Sequence, residues 1–270
     1  MSIQLNRTLA CAMLFLFVSA LSMNLHAQDA TAAGTYNEGL ALLKAKSYDE
    51  GLVKMEKALE LATAGGDEKI IGLAKKNGAV AAYNAAGAKR KAKSYDEAMA
   101  LYNKAAVLSP DYSSTYDGIG RTLEAQGKKP EAIENYLKAA TMATTEGKAK
   151  RATSRFKKVR GMVGKMFVAK DYDGAIAAGN AFIAVNDTDA DVHYYVSRSH
   201  AEKGDNETAS THISKAVMLA GDATPAKYHY AQGSQLEKLG KKADAIAAYK
   251  KITDAKYKAQ ADYRIRELSK

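Results

Sequence analysis

A short internal repeat constrains this 270-residue chain more than any other feature of its sequence. The hexapeptide AKSYDE occurs at 45–50 and again at 92–97, and the near copy AKDYD occupies 169–173. Self-similarity at intervals of a few tens of residues is typical of chains that stack one supersecondary unit many times. We therefore expect a repeat architecture in which each copy marks the same point of the unit.

Small residues recur together with the hexapeptide. One stands three positions after each tyrosine, and the same position can be followed through units without the tyrosine: Gly51, Ala98, Ala132, Ala175, Ala209 and Ala245. Successive members of this row are 47, 34, 43, 34 and 36 residues apart. Mostly apolar residues follow four and seven positions later, which keeps them on one helical face. Each unit is thus predicted to contain a helix that begins at the hexapeptide.

A second row of mostly small residues lies twelve positions before the first: Gly39, Ala86, Gly120, Val163, Ser197 and Gly233. We interpret each unit as two helices that cross at these residues, with AKSYDE as the turn between them. Ser47, Ser94 and Asp171 are predicted to cap the second helix, and the acids that follow complement its dipole. The tyrosine is predicted to pack at the corner of the hairpin.

The two longest intervals contain 67–93 and 146–170, which are neither proline-rich nor glycine-rich throughout. We predict that each is a first helix lengthened at its N-terminus and that neither is a linker. The last segment, KAQADYRIRELSK at 258–270, is predicted to be a helix that shields the apolar face of the final repeat from water.

These units resemble the tetratricopeptide repeat. The match is most complete in YDEAMALYNKAAVLSPD at 95–111 and extends over about 32–257, although no unit has the tryptophan common in that family's first helix. The resemblance implies an all-α fold, a right-handed superhelix of about six helix-turn-helix repeats with a capping helix, in a single domain at 28–270. We place the repeats at 32–65, 79–112, 113–146, 156–189, 190–223 and 226–257, and the cap at 258–270.

The N-terminus has the pattern of a secretory signal peptide at 1–27, with Arg7 before an apolar run from Leu9 to Leu25. A retained membrane anchor is the alternative, but the run is shorter than the roughly 20 residues of a spanning helix. Export to a bacterial periplasm or outer envelope is therefore expected. The one cysteine, Cys11, would leave with the leader, which excludes disulfides and thiolate chemistry in the mature chain.

The sequence lacks the patterns that enzymes and metal sites require. His193 and His200 are two helical turns apart, about 10 Å, too far for one metal ion. GIGRTL at 118–123 and GMVGK at 161–165 lack the full spacing of nucleotide-binding loops. No nucleophile elbow and no ordered Ser, His and Asp set occurs. We predict a noncatalytic protein without a cofactor or a bound metal.

With catalysis and metal binding not supported by the sequence, the remaining function is the binding of a partner on the protein surface. The resemblance implies that first helices line a concave groove, and the side chains expected there are tyrosines and cations, types that contribute strongly at interfaces. The predicted partner-binding residues are Tyr36, Tyr83, Asn84, Arg121, Lys157, Arg160, Tyr194, Arg198 and Tyr230. They suit an acidic protein or peptide partner. Packing between repeats is the alternative role for each tyrosine.

The formal charge of +10, or +9 without the leader, allows a second hypothesis. The basic segments 89–93 and 148–160 could bind a polyanion or an anionic membrane surface. They lack a sustained apolar face, and Phe156 is the lone aromatic residue within them, so neither stable membrane insertion nor nucleic-acid binding is predicted. Solvated helix faces are the simpler interpretation of both segments.

Overall fold

The computed structural model describes residues 31–270, which are α-helical apart from turns and one short 3₁₀ segment at Gly221–Ala223. The predicted signal peptide at 1–27 lies outside the described residues. Within 31–270, none of the helices is long and apolar enough to cross a membrane. The all-α repeat architecture predicted from the sequence is confirmed over this range.

The described chain forms two compact units, 31–110 and 111–270. The first unit consists of two helical hairpins, with α1 at Ala32–Lys44, α2 at Tyr48–Gly65, α3 at Glu68–Lys91 and α4 at Tyr95–Leu108. Its core includes Tyr36, Met55 and Ala58 near the first hairpin and Leu52, Ala81 and Ala105 near the second. That the whole chain forms one continuous solenoid domain stays a prediction.

The second unit contains four further hairpins and a final helix. Its helices are α5 at Ser113–Ala125, α6 at Lys129–Thr145, α7 at Ala149–Val168, α8 at Tyr172–Val185, α9 at Ala190–Glu202, α10 at Asn206–Ala220, α11 at Ala226–Lys238, α12 at Lys242–Lys250 and α13 at Ala255–Leu268. Within this unit the first helices α7, α9 and α11 are neighbours, and the second helices α6 and α8 also touch. The unit therefore has two helical layers.

Both long intervals are single helices, as predicted. Helix α3 begins at Glu68 and has 24 residues, and α7 begins at Ala149 and has 20. Asp67 caps α3, because its side chain accepts a hydrogen bond from the Ile70 amide. The extra residues therefore extend the first helices of the second and fourth repeats toward their N-termini, ahead of 79 and 156.

Small residues lie where paired helices cross, which explains the two rows in the sequence. A Cβ atom on Gly120 would come within 2.9 Å of the Tyr136 ring, and one on Gly233 within 2.6 Å of the Tyr249 ring. Both tyrosine rings are buried. The glycines therefore make room for an aromatic ring of the second helix.

Backbone hydrogen bonds to the preceding helix hold the hexapeptide turn. Lys46, Lys93 and Lys170 have φ near +60°, and the amide of the next residue returns to the preceding helix, as when Ser47 donates to the Leu42 carbonyl at 2.9 Å. Ser47 and Ser94 make no side-chain cap, so that prediction is wrong, whereas Asp171 caps the Gly174 amide at 3.0 Å. Tyr172 packs near Phe167 at the corner of its hairpin, with ring centroids 6.0 Å apart.

Candidate partner-binding surface

Three of the predicted binding residues belong to the unit at 31–110. Tyr36 is buried in the core of that unit, and its hydroxyl accepts a hydrogen bond from Asn77 at 2.8 Å. Tyr83 is half-buried beside Tyr102, with ring centroids 5.8 Å apart. Asn84 donates to the carbonyl of Val80 on its own helix. Packing within the unit accounts for Tyr36, and Tyr83 retains part of its surface.

The other six lie in the unit at 111–270, where Arg121 is tied to a buried acid. Its Nε is 2.9 Å from Asp117 on the same helix, and Arg155 of α7 donates to the same carboxylate at 2.9 Å. Asp117 is only 4% exposed. The two guanidinium groups thus neutralise a buried charge and join α5 to α7.

Arg160 takes part in a second ionic cluster, which joins α7, α9 and α11. Its guanidinium lies 3.3 Å from Asp189 and 3.6 Å from Asp191. Lys227 is 3.2 Å from Asp191, and the Tyr228 hydroxyl donates to Asp191 at 2.7 Å. Burial acts to raise the pKa of Asp191, but these donors outweigh it and hold the pKa below its usual value. Arg160 is therefore already paired with acidic side chains of the same chain.

The basic segment 148–160 is largely paired within the chain. Besides Arg155 and Arg160, Lys148 lies by Glu146 and Lys158 is 2.6 Å from Glu124. Among the described residues, the segment's cations without an ion pair or a hydrogen bond to another residue are Lys150 and Lys157, and Lys157 is exposed. The positive charge of α7 therefore serves mainly to attach this helix to its acidic neighbours.

Aromatic rings and cations form a cluster across α7, α9 and α11. Tyr194 is buried and stacks on Tyr228 at 4.9 Å, with the Lys227 ammonium 4.8 Å from the Tyr194 ring. Arg198 donates to the Tyr194 hydroxyl at 3.3 Å and lies 5.5 Å from the Phe167 ring. Tyr194 is thus part of the packing, and Arg198 is the partly exposed edge of the cluster.

A small pocket between α9 and α11 brings two of the predicted residues together. It has a volume of about 110 Å³ and is lined by Arg198, Glu202, Tyr230, Ser234, Gln235 and Lys238, together with Ala201 and Ala231. Arg198 and Tyr230 are half-buried, and Lys238 is exposed. The pocket therefore combines two alanine methyl groups with charged and polar side chains.

Sequence reasoning missed Gln235, Ser234 and Lys238. Gln235 lies two positions after the small residue Gly233, and the equivalent positions of the two preceding repeats hold Ser199 and Lys165. Because the residue type changes from repeat to repeat, the repeat pattern could not single it out. A buried polar side chain at that position is recognisable only from the packing of α9 on α11.

Three histidines come together between α9 and α10. His212 of α10 lies between the other two, with ring centroids 5.3 Å from His193 and 6.0 Å from His200. The Nδ1 atoms of His193 and His212 are 3.0 Å apart, and the outer two rings contact Asp187 and Asp205. Across 31–270, no group of three ligating side chains is arranged to hold a metal ion.

No family model matches the chain, and no curated protein matches it. Among solved structures, the TPR2AB domain of yeast Sti1 in an HSP90 complex is 17% identical, covering 88% of this chain and 98% of that one, with a TM-score of 0.38. The P58(IPK) TPR domain is 18% identical, with coverages of 88% and 64% and a TM-score of 0.37. MamA from Desulfovibrio magneticus RS-1 is 19% identical, with coverages of 71% and 94% and a TM-score of 0.35. At TM-scores below 0.5, these likenesses carry no conclusion about function.

Proposed function

We propose that this chain is a noncatalytic scaffold that is exported to the bacterial envelope and binds a protein or peptide partner on the first-helix side of residues 111–270. The observation that carries the proposal is the pocket between α9 and α11, which Arg198 and Tyr230 line together with two alanines. Arginine and tyrosine supply planar hydrogen bonding and amphipathic area at protein interfaces. The repeat architecture also favours binding over catalysis, because stacked hairpins present extended surfaces.

The partner is expected to be a segment with acidic residues beside the contact. Lys238 makes no ion pair among the described residues, and the chain as a whole carries a formal charge of +10. Arg198 is already shared with Glu202, whose carboxylate lies 3.3 Å from the guanidinium. Positive potential would speed the encounter, whereas the pocket would determine which partner stays bound.

The test is a cross-linked pull-down from the envelope fraction of the native cell. Residues 28–270 serve as bait beside a variant with Arg198→Ala and Lys238→Ala. The matched control variant carries Arg266→Ala and Lys241→Ala, which removes the same residue types at exposed positions outside the pocket. Circular dichroism first establishes that all three baits are folded. We expect one specific protein to be captured by the parent and the control and lost by the pocket variant.

The competing hypothesis, binding of a polyanion or an anionic membrane surface, predicts a different outcome. A bait with Lys150→Ala and Lys157→Ala lacks the unpaired cations of α7, so under this hypothesis it would no longer capture the ligand. Salt at about 0.5 M would release the captured material from every bait. Equal capture by the parent and the pocket variant would contradict the proposal. Export itself is tested separately, by the N-terminal residue of the protein recovered from the envelope.

A further inference from the structure

Gln235 is a buried polar residue whose hydrogen bonding is incomplete. It lies on α11, it is one of the residues that line the pocket, and it is 3% exposed. The Oε1 atom is buried and has no hydrogen-bond partner. Such orphaned atoms are uncommon in folded proteins, because leaving an acceptor without a donor costs the full desolvation of that group. Because Oε1 is closed off from solvent, the side chain must turn toward the pocket to accept a hydrogen bond from a group that enters it.

Hydrogen-bond donors lie on the same pocket. The Lys238 ammonium is exposed and makes no ion pair among the described residues, and Arg198 keeps donor capacity beyond its bonds to Tyr194 and Glu202. The Glu202 carboxylate also faces the pocket. A ligand that satisfies this wall must therefore offer an N–H group and an acceptor oxygen a few ångströms apart.

We propose that the pocket binds a neutral amide group of the partner, either a backbone peptide unit or an Asn or Gln carboxamide. This rests on the proposed function, because it names the group that the scaffold recognises. An amide has both a donor and an acceptor, so it satisfies Gln235 whichever way the Gln235 amide is turned. A carboxylate satisfies only one of these orientations and meets Glu202 as well.

The size of the pocket agrees with an amide. Its volume is about 110 Å³. Since an engineered cavity of about 150 Å³ holds a benzene ring, this smaller pocket has room for a group of roughly four or five non-hydrogen atoms. A carboxamide with one methylene group has that size.

The experiment uses three capped amino acids as probes, titrated into ¹⁵N-labelled residues 28–270 and followed by NMR. N-acetylglutamine methylamide offers a carboxamide, N-acetylalanine methylamide offers backbone amides alone, and N-acetylglutamate methylamide offers a carboxylate. We expect the glutamine probe to shift the Gln235 side-chain amide and backbone amides of 198–202 and 230–238. Equal binding of the alanine probe identifies the backbone as the source of the amide. Tighter binding of the glutamine probe identifies the side chain.

Two variants make the result specific to Gln235. Gln235→Met keeps the shape of the side chain and removes its polar atoms, so we expect binding to weaken about tenfold, the effect of one hydrogen bond. Gln232→Met is the control on the same helix, outside the pocket, and should bind as the parent does. Because Gln235→Met also removes an orphaned buried acceptor, its thermal midpoint should be equal to or above that of the parent.

Three outcomes would overturn the proposal. The glutamate probe could bind more tightly than the other two, which would assign the pocket to a carboxylate. Alternatively, the Gln235 resonances could stay unshifted by every probe up to its solubility limit, which would mean that the pocket holds only water. Gln235→Met could bind the probes as the parent does. In each case loss of partner capture by the Arg198 and Lys238 variant would still support the scaffold function, so the two proposals fail separately.

Discussion

The turns inside the hairpins place two residue types in one backbone conformation. Lys46, Lys93 and Lys170 have φ of 62 to 64°, and the equivalent positions of the other three repeats hold Gly127, Gly204 and Gly240 with φ of 72 to 84°. A side chain in this left-handed region is strained by contact between Cβ and the backbone, a strain that glycine lacks. Each lysine turn is therefore expected to be less stable than the same turn with glycine at that position.

Lys170→Gly is expected to stabilise residues 111–270 by about 0.5–1 kcal/mol, the relief of strain less the extra entropy of glycine in the unfolded chain. Urea unfolding measures the difference. The reverse change, Gly204→Lys at the equivalent position, should reduce the free energy of unfolding by a similar amount. A Lys170→Gly protein no more stable than Lys170→Ala would contradict this net gain, because strain relief would then not exceed the entropy of glycine.

The histidine cluster is the second residue-scale feature with a measurable consequence. Burial, followed by the nearby His193 and His200, lowers the pKa of His212 to about 4. The unfolded chain binds this proton with a pKa near 6.5. The unfolded state therefore takes up more protons than the folded state as the pH falls from about 6.5 to about 4. The stabilisation is complete above that window and is lost as the pH falls through it.

We expect the free energy of unfolding to fall by about 2 kcal/mol over this window because of His212, a value already reduced for its partial exposure. Urea unfolding at a series of pH values measures the slope. His212→Gln cannot take up the proton, so its slope should be shallower than that of the parent. Identical slopes for the two proteins would mean that His212 titrates normally in the folded state.

At the scale of helices, charge pairing attaches α7 to its neighbours. Arg155→Met would leave the buried Asp117 with Arg121 as its remaining cationic partner, because the contact from α7 is lost. We expect a loss of about 2–4 kcal/mol, since an under-compensated buried charge is costly. Lys157→Met, on the same helix at an exposed position without a partner, should stay within about 0.5 kcal/mol of the parent. Thermal unfolding of both variants distinguishes pairing from a general effect of charge.

Replacing a helical glycine with alanine raises or lowers the stability according to what the new Cβ atom would contact. Gly233→Ala would drive a Cβ into the buried Tyr249 ring, whereas a Cβ on Gly161 would meet nothing within 4 Å. We expect Gly233→Ala to destabilise by about 1–2 kcal/mol, because overpacking exceeds the gain in helix propensity. Gly161→Ala should stabilise by up to about 1 kcal/mol. Two changes of the same sign, measured by urea unfolding, would contradict the crossing geometry.

At the scale of the whole molecule, the last helix closes the apolar end of the unit at 111–270. Ala261, Ile265 and Leu268 of α13 cover Tyr249 and Ile252. Arg264 also pairs with Glu237 of α11. In repeat proteins each hairpin is stabilised mainly by its neighbours, so a terminal hairpin without its cap exposes a core surface.

Truncation after Asp254 is therefore expected to reduce the stability of this unit by about 2–4 kcal/mol through lost apolar burial, and to increase binding of a hydrophobic dye. Removal of Ser269 and Lys270 alone, both exposed, is the control and should change neither quantity. Thermal unfolding and dye fluorescence provide the measurements. A truncated protein as stable as the parent would show that α13 does not serve as a cap.

Much of the helical architecture could be predicted because it follows from local patterns. The rows that contain Gly120, Gly233 and their equivalents locate the crossings, since only small residues allow two helix backbones to approach closely there. The turn positions follow from AKSYDE and its variants. The long helices α3 and α7 were predictable because nothing in 67–93 or 146–170 interrupts a helix. These features depend on the residues of one hairpin alone.

The candidate site depended on contacts between hairpins, which only the tertiary structure decided. Arg121, Arg160 and Lys157 are all cations on first helices, yet their surroundings differ. Arg121 contacts a buried acid, Arg160 contacts acids that are remote in sequence, and Lys157 is exposed. Gln235 and His212 acquire their roles from side chains on neighbouring helices. A rotation of one helix by a single residue, about 100°, would change every such partner without altering the sequence pattern. The sequence therefore determined which helices form, and tertiary packing determined which of their polar groups remain available for a partner.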